Sequence, residues 1–253
     1  MILLASAALA LTFSDSEPPM QDHAATSEQV PASTAERNPS PYPVLNVPVG
    51  QFDEVQVSGA IQVFVIAGAD AHGVRLHGPR ALIEDAIVDV EEGRLSIRFR
   101  EGANWSWNPG SGLNVVVRTP SLSAIHIDGP VLAEVMQPRG ESFTASTQAA
   151  GSIEITELDV GTVQLSTHGA GGITVSGSAR EADYSVGGAG SIDAMRLRVT
   201  DAEIEISGAG SNYANVSGEA QIALTRDRGG RVEVVGGGTC VTQPANSDRV
   251  ECR

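Results

Sequence analysis

AAGSIEI, at residues 149–155, is the first of a series of similar segments, which continues as GAGGITV at 169–175, GAGSIDA at 188–194 and GAGSNYA at 208–214. A weaker copy, RGGRV, follows at 228–232. Each of the four clear copies has a glycine at the same place, and these glycines lie 20, 19 and 20 residues apart: Gly151, Gly171, Gly190 and Gly210. A fixed period of this size is typical of proteins that stack one structural unit on the next.

Each repeat is predicted to form one coil of a β-solenoid. The repeat glycines are interpreted as structural turn positions, where the backbone takes a positive φ or neighbouring backbones approach closely. Stacking would place Ile153, Ile173 and Ile192 above one another in an inward aliphatic ladder. The next copy has Asn212–Tyr213 at this place, which we interpret as a change near the end of the stack.

The rest of the chain also favours strands. Apolar residues alternate with polar ones at Val55 and Val57, and again at Ile61, Val63 and Val65, which is the period of a β-strand. The only stretch compatible with a helix is short, at residues 79–86. The predicted fold class is therefore all-β, with coils of about 20 residues.

The N-terminal part of the chain is predicted to lie outside the folded domain. Residues 1–16 begin with the apolar run MILLASAALALTF, which is too short for a membrane span and resembles a signal peptide. Residues 17–46 are rich in Pro, Ser and Ala and are predicted to be a linker. Residues 47–253 then form a single β-solenoid domain.

Both cysteines of the chain lie near its end, at Cys240 and Cys252. A local disulfide is predicted, since closing a loop of this size stabilises a fold by about 3 kcal/mol. Two free thiols are the alternative. A disulfide would indicate an oxidising compartment and therefore export.

The charge of the chain restricts its partners. A net charge of −15 arises from 31 acidic residues against 16 basic ones, which are all Arg. Such a chain lacks the basic face that nucleic acid requires, and it would be repelled by an anionic membrane surface. No cofactor and no metal site is predicted, because two cysteines without a neighbouring His supply only half of a tetrahedral site.

Carboxylates were considered as catalytic groups, because some β-solenoids cleave polysaccharides through paired acids. The candidates are Asp193, Asp201, Glu203 and Glu205. An active site would also need Arg196 or Arg198 close to Asp183 or Asp193. The solvated-face interpretation is preferred, and no catalytic residue is predicted.

The segment NWSWNPG, at residues 104–110, holds both tryptophans of the chain. In an extended backbone Trp105 and Trp107 point the same way, so that the pair can stack on a sugar ring or anchor a protein. They are predicted as a ligand contact, and packing as a lid over one end of the solenoid is the alternative.

The recurrent Gly-Ala-Gly-Ser segments, together with FDEVQVSG at residues 52–59, resemble the head GIN domain family of bacterial autotransporter adhesins. The resemblance covers residues 47 to 240. It implies a right-handed parallel β-helix in an envelope or secreted protein, with no catalytic residues to carry over.

The predicted function is that of a non-enzymatic, adhesin-like binding or structural protein, periplasmic or at the cell surface, that contacts a glycan or a protein. A carbohydrate-active β-helix enzyme, either a polysaccharide lyase or a hydrolase, is the first alternative. A structural module that forms homo-oligomers is the second.

Overall fold

The structure is a computed structural model that describes residues 42–103, 112–225, 229–245 and 247–253. The predicted signal peptide and most of the predicted linker lie outside the described residues. Within the described ranges no helix is long and apolar enough to cross a membrane.

One short helix and a single sheet of 19 strands make up the described chain. The helix is α1 (Arg80–Asp85). The strands are β1 (Val44–Val47), β2 (Glu54–Ser58), β3 (Ile61–Ala67), β4 (Gly73–His77), β5 (Ala86–Glu91), β6 (Arg94–Phe99), β7 (Leu113–Thr119), β8 (Ala124–Asp128), β9 (Leu132–Met136), β10 (Arg139–Thr147), β11 (Ser152–Thr167), β12 (Gly172–Val186), β13 (Ser191–Val199), β14 (Asp201–Ile206), β15 (Ser211–Val216), β16 (Glu219–Leu224), β17 (Arg231–Val235), β18 (Thr239–Gln243) and β19 (Val250–Cys252).

The sheet winds into a β-solenoid, which confirms the predicted fold class. The solenoid makes about six turns, with coils of about 20 residues. Equivalent strands of successive coils pair in parallel and form two long ladders. The first ladder contains, in spatial order, β6, β2, β8, β10, β11, β12, β14, β16 and β18. The second contains β7, β3, β9, β11, β12, β13, β15, β17 and β19.

The repeat glycines are required by close backbone approach rather than by a left-handed conformation. None of the four has a positive φ. A Cβ on Gly171 would overlap the carbonyl oxygen of Gly151, and a Cβ on Gly190 would overlap that of Gly171. The stack therefore has no room for a side chain at this place, which explains the repeat of glycine.

The predicted aliphatic ladder is present. Ile153 pairs with Ile173, which pairs in turn with Ile192, and all three side chains are buried. Asn212 continues the ladder and is itself fully buried. Two further residues, Val232 and Val250, follow it in the ladder, so the polar position lies near the end of the described stack.

Replacement of Asn212 by Val is expected to raise the free energy of unfolding by about 1 kcal/mol or more. Neither the Oδ1 nor the Nδ2 atom of Asn212 has a hydrogen-bond partner among the described residues. Val removes this unpaired polar group and nearly conserves the volume. Urea denaturation measures the difference. Asn212→Ala, which leaves a cavity, is expected to gain less, and a Val variant less stable than the native chain would contradict the interpretation.

The first coils of the stack are not in sequence order. Strand β2 lies between β6 and β8, and β3 lies between β7 and β9. The chain therefore enters the solenoid at its second coil. It builds the terminal coil next, from β6 and β7, and then passes to the far side of the β2 and β3 coil to continue as β8.

Antiparallel strands cover the terminal coil. Strand β4 pairs with β7 and β1 pairs with β4, while β5 pairs with β6. Leu82 and Ile83 of α1 also pack against the core. Strand β1 lies across the end of the predicted linker, and α1 lies within the predicted helical stretch.

The last coil is closed by a disulfide between Cys240 on β18 and Cys252 on β19, whose Cα atoms lie 6.6 Å apart. This bond joins the last strands of the two ladders and confirms the predicted pairing. Next to it, Arg231 and Arg253 both form ion pairs with Glu251, with shortest N to O distances of 2.6 Å. The hydrogen bond from Arg253 holds the pKa of Glu251 below its usual value.

Candidate binding surfaces

The candidate binding surfaces of the molecule are the outer faces of its two ladders. Along each strand, buried and outward-facing residues alternate, as in β14, where Ala202, Ile204 and Ile206 are buried and the acids between them are exposed. A short third side lies between the ladders, where residues 158–160 of β11 pair with residues 177–179 of β12. Outward residues of successive coils form rows with a spacing of about 4.8 Å.

An acidic strip lies on the outer face of the first ladder. Its six carboxylates are exposed and belong to Glu181, Asp183, Asp201, Glu203, Glu205 and Glu219. The register stacks Glu181 on Asp201 and Asp183 on Glu203. Five of the six acids line an open depression of about 430 Å³. Like charges at this spacing repel one another, so the strip makes a negative potential that attracts cations and basic surfaces.

Asp183 and Glu219 accept hydrogen bonds from the side-chain amides of Gln164 and Gln221, and two further acids of the strip also have structural contacts. The Oδ1 atom of Asp201 accepts a hydrogen bond from the backbone N–H of Glu219 at 2.8 Å, which fixes the start of β16. Glu181 lies 3.1 Å from the Nε atom of Arg180. Both groups therefore contribute to the local fold, whatever the strip binds.

The carboxylate and arginine cluster that an active site would need is only partly assembled. Asp201, Glu203 and Glu205 share the first ladder with Asp183, but Asp193 lies on the second ladder, where it pairs with Thr174. Arg196 and Arg198 pair with Ser176 and Ser178, on the third side. Among the described residues no ion pair joins either arginine to Asp183 or Asp193. The fold thus places Asp183 and the other acids of the first ladder on a different side of the solenoid from both arginines.

Near the terminal coil the first ladder has a mixed charge. The Nη2 atom of Arg94 lies 2.8 Å from the Oε2 atom of Glu54, on the strand next to His126. The Nδ1 atom of His126 lies 2.7 Å from the Oγ atom of Ser146. Burial lowers the pKa of His126, and the charges of Glu54 and Arg94 act on it in opposite directions. This histidine is therefore a structural group that is neutral at pH 7.

An apolar strip lies on the outer face of the second ladder, close to the terminal coil. It consists of Phe64, Ile66, Val116, Leu132 and Met136. The first three are half-buried, while Leu132 is 41% and Met136 is 47% exposed. The register places Val116 beside Phe64 and Ile66 beside Met136. Apolar side chains grouped on a solvent face are typical of an interaction surface.

The sequence contains a signal for the apolar strip, but a search for alternating apolar and polar residues does not detect it. Strand β3 reads IQVFVIA and is apolar at both odd and even positions from Val63 to Ala67. Such a run is typical of a strand that is covered on both faces. Four acids of the strip, Asp183, Asp201, Glu203 and Glu205, were named above only as catalytic candidates, and their stacking with Glu181 and Glu219 depends on the coil register.

The predicted ligand contacts Trp105 and Trp107 lie outside the described residues, in the segment that connects β6 to β7 of the terminal coil. Within the described ranges no group of three or more His, Cys, Asp or Glu side chains is arranged to hold a metal ion.

Comparison with known proteins identifies a family. A family model described as "Putative auto-transporter adhesin, head GIN domain" matches residues 51–238. This range includes the strands from β2 to β17 and therefore nearly the whole solenoid. No curated protein matches the chain.

Several solved structures share the fold. A putative adhesin from Bacteroides fragilis is 16% identical, with 84% of this chain and 93% of that chain covered and a TM-score of 0.69. A putative adhesin from Parabacteroides distasonis is also 16% identical, with 84% and 94% covered and a TM-score of 0.59. A putative lipid binding protein from the same species is 15% identical, with 83% and 94% covered and a TM-score of 0.60.

Proposed function

This chain belongs to the head GIN domain family of auto-transporter adhesins, and on that premise we propose that it is an exported, adhesin-like binding protein of the bacterial cell envelope. In this role it contacts an envelope glycan or protein and carries out no chemical step. It acts in the periplasm or at the cell surface.

The observation that carries this proposal is the pair of long outer faces on the solenoid. Parallel pairing along both ladders holds outward side chains in fixed rows, so that a partner meets a preorganised surface and little ordering is needed on binding. The two faces differ in chemistry, since one carries the acidic strip and the other the apolar strip. Extended repeat surfaces of this kind are widely used to bind macromolecules.

Export is supported by the disulfide. The bond between Cys240 and Cys252 uses both cysteines of the chain. Such bonds persist in oxidising compartments and are rare in the cytosol. The apolar run of residues 1–16 has the composition of a signal peptide, which agrees with the same conclusion.

For a glycan partner, we propose Trp105 and Trp107 as the contact. The segment that carries them connects β6 to β7, and both of these strands belong to the terminal coil. Aromatic side chains supply large apolar area at low cost in conformational entropy, which suits the face of a sugar ring.

Replacement of both Trp105 and Trp107 by Ala is expected to lower glycan affinity at least about tenfold. A glycan array, followed by titration of the hits, measures the loss. Replacement of both residues by Phe is the matched control, because it keeps an aromatic face and should retain much of the binding. A double Ala variant that binds as tightly as the native chain would exclude these residues as the contact.

A further inference from the structure

The apolar strip is bordered by charges of opposite sign on its two sides. On one side lie Arg75 of β4 and Arg118 of β7, and on the other lie Glu134 of β9 and Glu154 of β11. Within the described part of the chain, Arg118, Glu134 and Glu154 form no ion pair. Arg75 donates a hydrogen bond from Nε to the Oδ1 atom of Asn46 at 3.2 Å but pairs with no described carboxylate.

The strand register orders these groups in one row. Asn46 pairs with Arg75, Arg75 with Val116, Val116 with Phe64, Phe64 with Glu134, and Glu134 with Glu154. The row therefore runs from a cationic end, over two apolar residues, to an anionic end. Arg75 and Glu134 are three strand spacings apart, or about 14 Å.

From this row we infer that the apolar strip binds a second copy of the chain, face to face, about a two-fold axis parallel to the strands. A rotation of 180° about such an axis leaves each row at the same position along the strand direction. It reverses the order in which the strands follow one another across the sheet. With the axis midway between β7 and β3, Val116 of one copy lies over Phe64 of the other. Arg75 then lies over Glu134, and Asn46 lies over Glu154.

The charges exclude the other orientation of the axis. An axis along the stack would place each strand over its own equivalent, so that Arg75 would face Arg75 and Glu134 would face Glu134. Like charges across an interface cost several kcal/mol, whereas opposed pairs favour the encounter. A contact in which the same patch serves both copies is also the commonest arrangement in homo-oligomers.

The shape of the surface agrees with this arrangement. Met136 is exposed and lies in the row that also contains Ile66, Arg118 and Gly73. The two-fold operation places Met136 of one copy over Gly73 of the other. Gly73 and its neighbours Ala69 and Ala71 line a depression of about 570 Å³, together with Arg75, Val116 and Arg118. A flexible Met side chain is suited to fill such a depression.

Sedimentation velocity of the full chain tests the inference. We expect a monomer that converts to a dimer as the concentration rises from about 1 μM to about 100 μM. Met136→Arg should weaken the dimer at least about tenfold, because it places a cation in a depression that Arg75 and Arg118 line. The matched control is Val241→Arg, on exposed β18 at the other end of the stack, which should leave the dimer unchanged.

Charge exchange tests the orientation. Arg75→Glu should weaken the dimer by opposing two carboxylates, and Glu134→Arg should weaken it by opposing two guanidinium groups. The variant with both changes should recover most of the native affinity. All four side chains replaced in these tests face outward, so melting temperatures should stay near that of the native chain.

A monomer at every concentration would overturn the inference, as would a dimer that Met136→Arg leaves intact. A monomer that instead binds phosphatidylcholine vesicles, and loses this binding on Met136→Arg, would assign the strip to lipid and also overturn the inference. A double charge variant no stronger than either single variant would overturn the proposed axis. Glycan binding by a monomeric variant would leave the adhesin role in place.

Discussion

Replacement of Gly171 by Ala is expected to lower the free energy of unfolding by at least about 3 kcal/mol, or to prevent folding. An added Cβ would overlap the carbonyl oxygen of Gly151 and would lie 2.8 Å from the Oγ1 atom of Thr147. The obstacle is backbone of the neighbouring coil, which cannot move without breaking its own ladder hydrogen bonds. The coil of Gly171 also lies against the coil of Gly190 on its other side, where a Cβ on Gly190 would overlap the carbonyl oxygen of Gly171, so relief by a local shift is blocked.

The adjacent glycine supplies a matched control. A Cβ on Gly172 would lie 3.6 Å from the nearest atoms, which belong to Ser191, and this is ordinary van der Waals contact. Gly172→Ala is therefore expected to change stability by less than about 1 kcal/mol. Urea denaturation followed by circular dichroism compares the two variants. Equal stability of Gly171→Ala and Gly172→Ala would contradict the close packing of coils at the repeat glycine.

Removal of the disulfide, by replacing Cys240 and Cys252 with Ser, is expected to lower the free energy of unfolding by about 3 kcal/mol. The two cysteines are 12 residues apart, so the bond restricts a short loop in the unfolded chain. It also joins the edge strands of the last coil, which have a neighbouring coil on one side only. Faster hydrogen exchange in β18 and β19 should accompany the loss.

A reductant provides the control for this prediction. It should lower the melting temperature of the native chain to that of the double Ser variant and should leave the variant itself unchanged. A native chain whose stability does not respond to reduction, although its thiols become reactive, would show that the bond adds nothing to the fold.

The sequence was sufficient to predict the regular part of the solenoid, for a physical reason. When each coil repeats the one before, a residue and its spatial neighbour lie one period apart in the sequence, so that a local pattern specifies a tertiary contact. Ile153, Ile173 and Ile192 are therefore stacked as predicted. The repeat glycines could be explained by a positive φ or by close approach of neighbouring backbones, and only the geometry of the stack distinguishes these two explanations.

The strand pairing in the terminal coils could not be predicted in this way, because it is not periodic. Strand β2 contacts β6 and β8, which are far from it in the sequence, and nothing in the alternation of Val55 and Val57 specifies those partners. The antiparallel cover formed by β1 and β4 has the same origin. Predicting such contacts requires the free energies of competing long-range pairings, which local patterns do not contain.

The acidic strip depends on the regular repeats, whereas the apolar strip depends on the terminal coils. Acids separated by one coil length, such as Asp183 and Glu203, meet on one face because the register is regular. The apolar strip combines β3, β7 and β9, which become neighbours only through the change of coil order. Its position relative to Arg75 and Glu134 therefore depends on the part of the fold that the repeats do not encode.

If the chain is a folded binding protein of the cell envelope, it should give a saturable binding isotherm on isolated bacterial envelopes. The labelled native chain should bind saturably, unlabelled chain should compete for the same sites, and heat-unfolded chain should lose this binding. A correctly folded chain that binds no envelope preparation saturably would contradict the adhesin-like function.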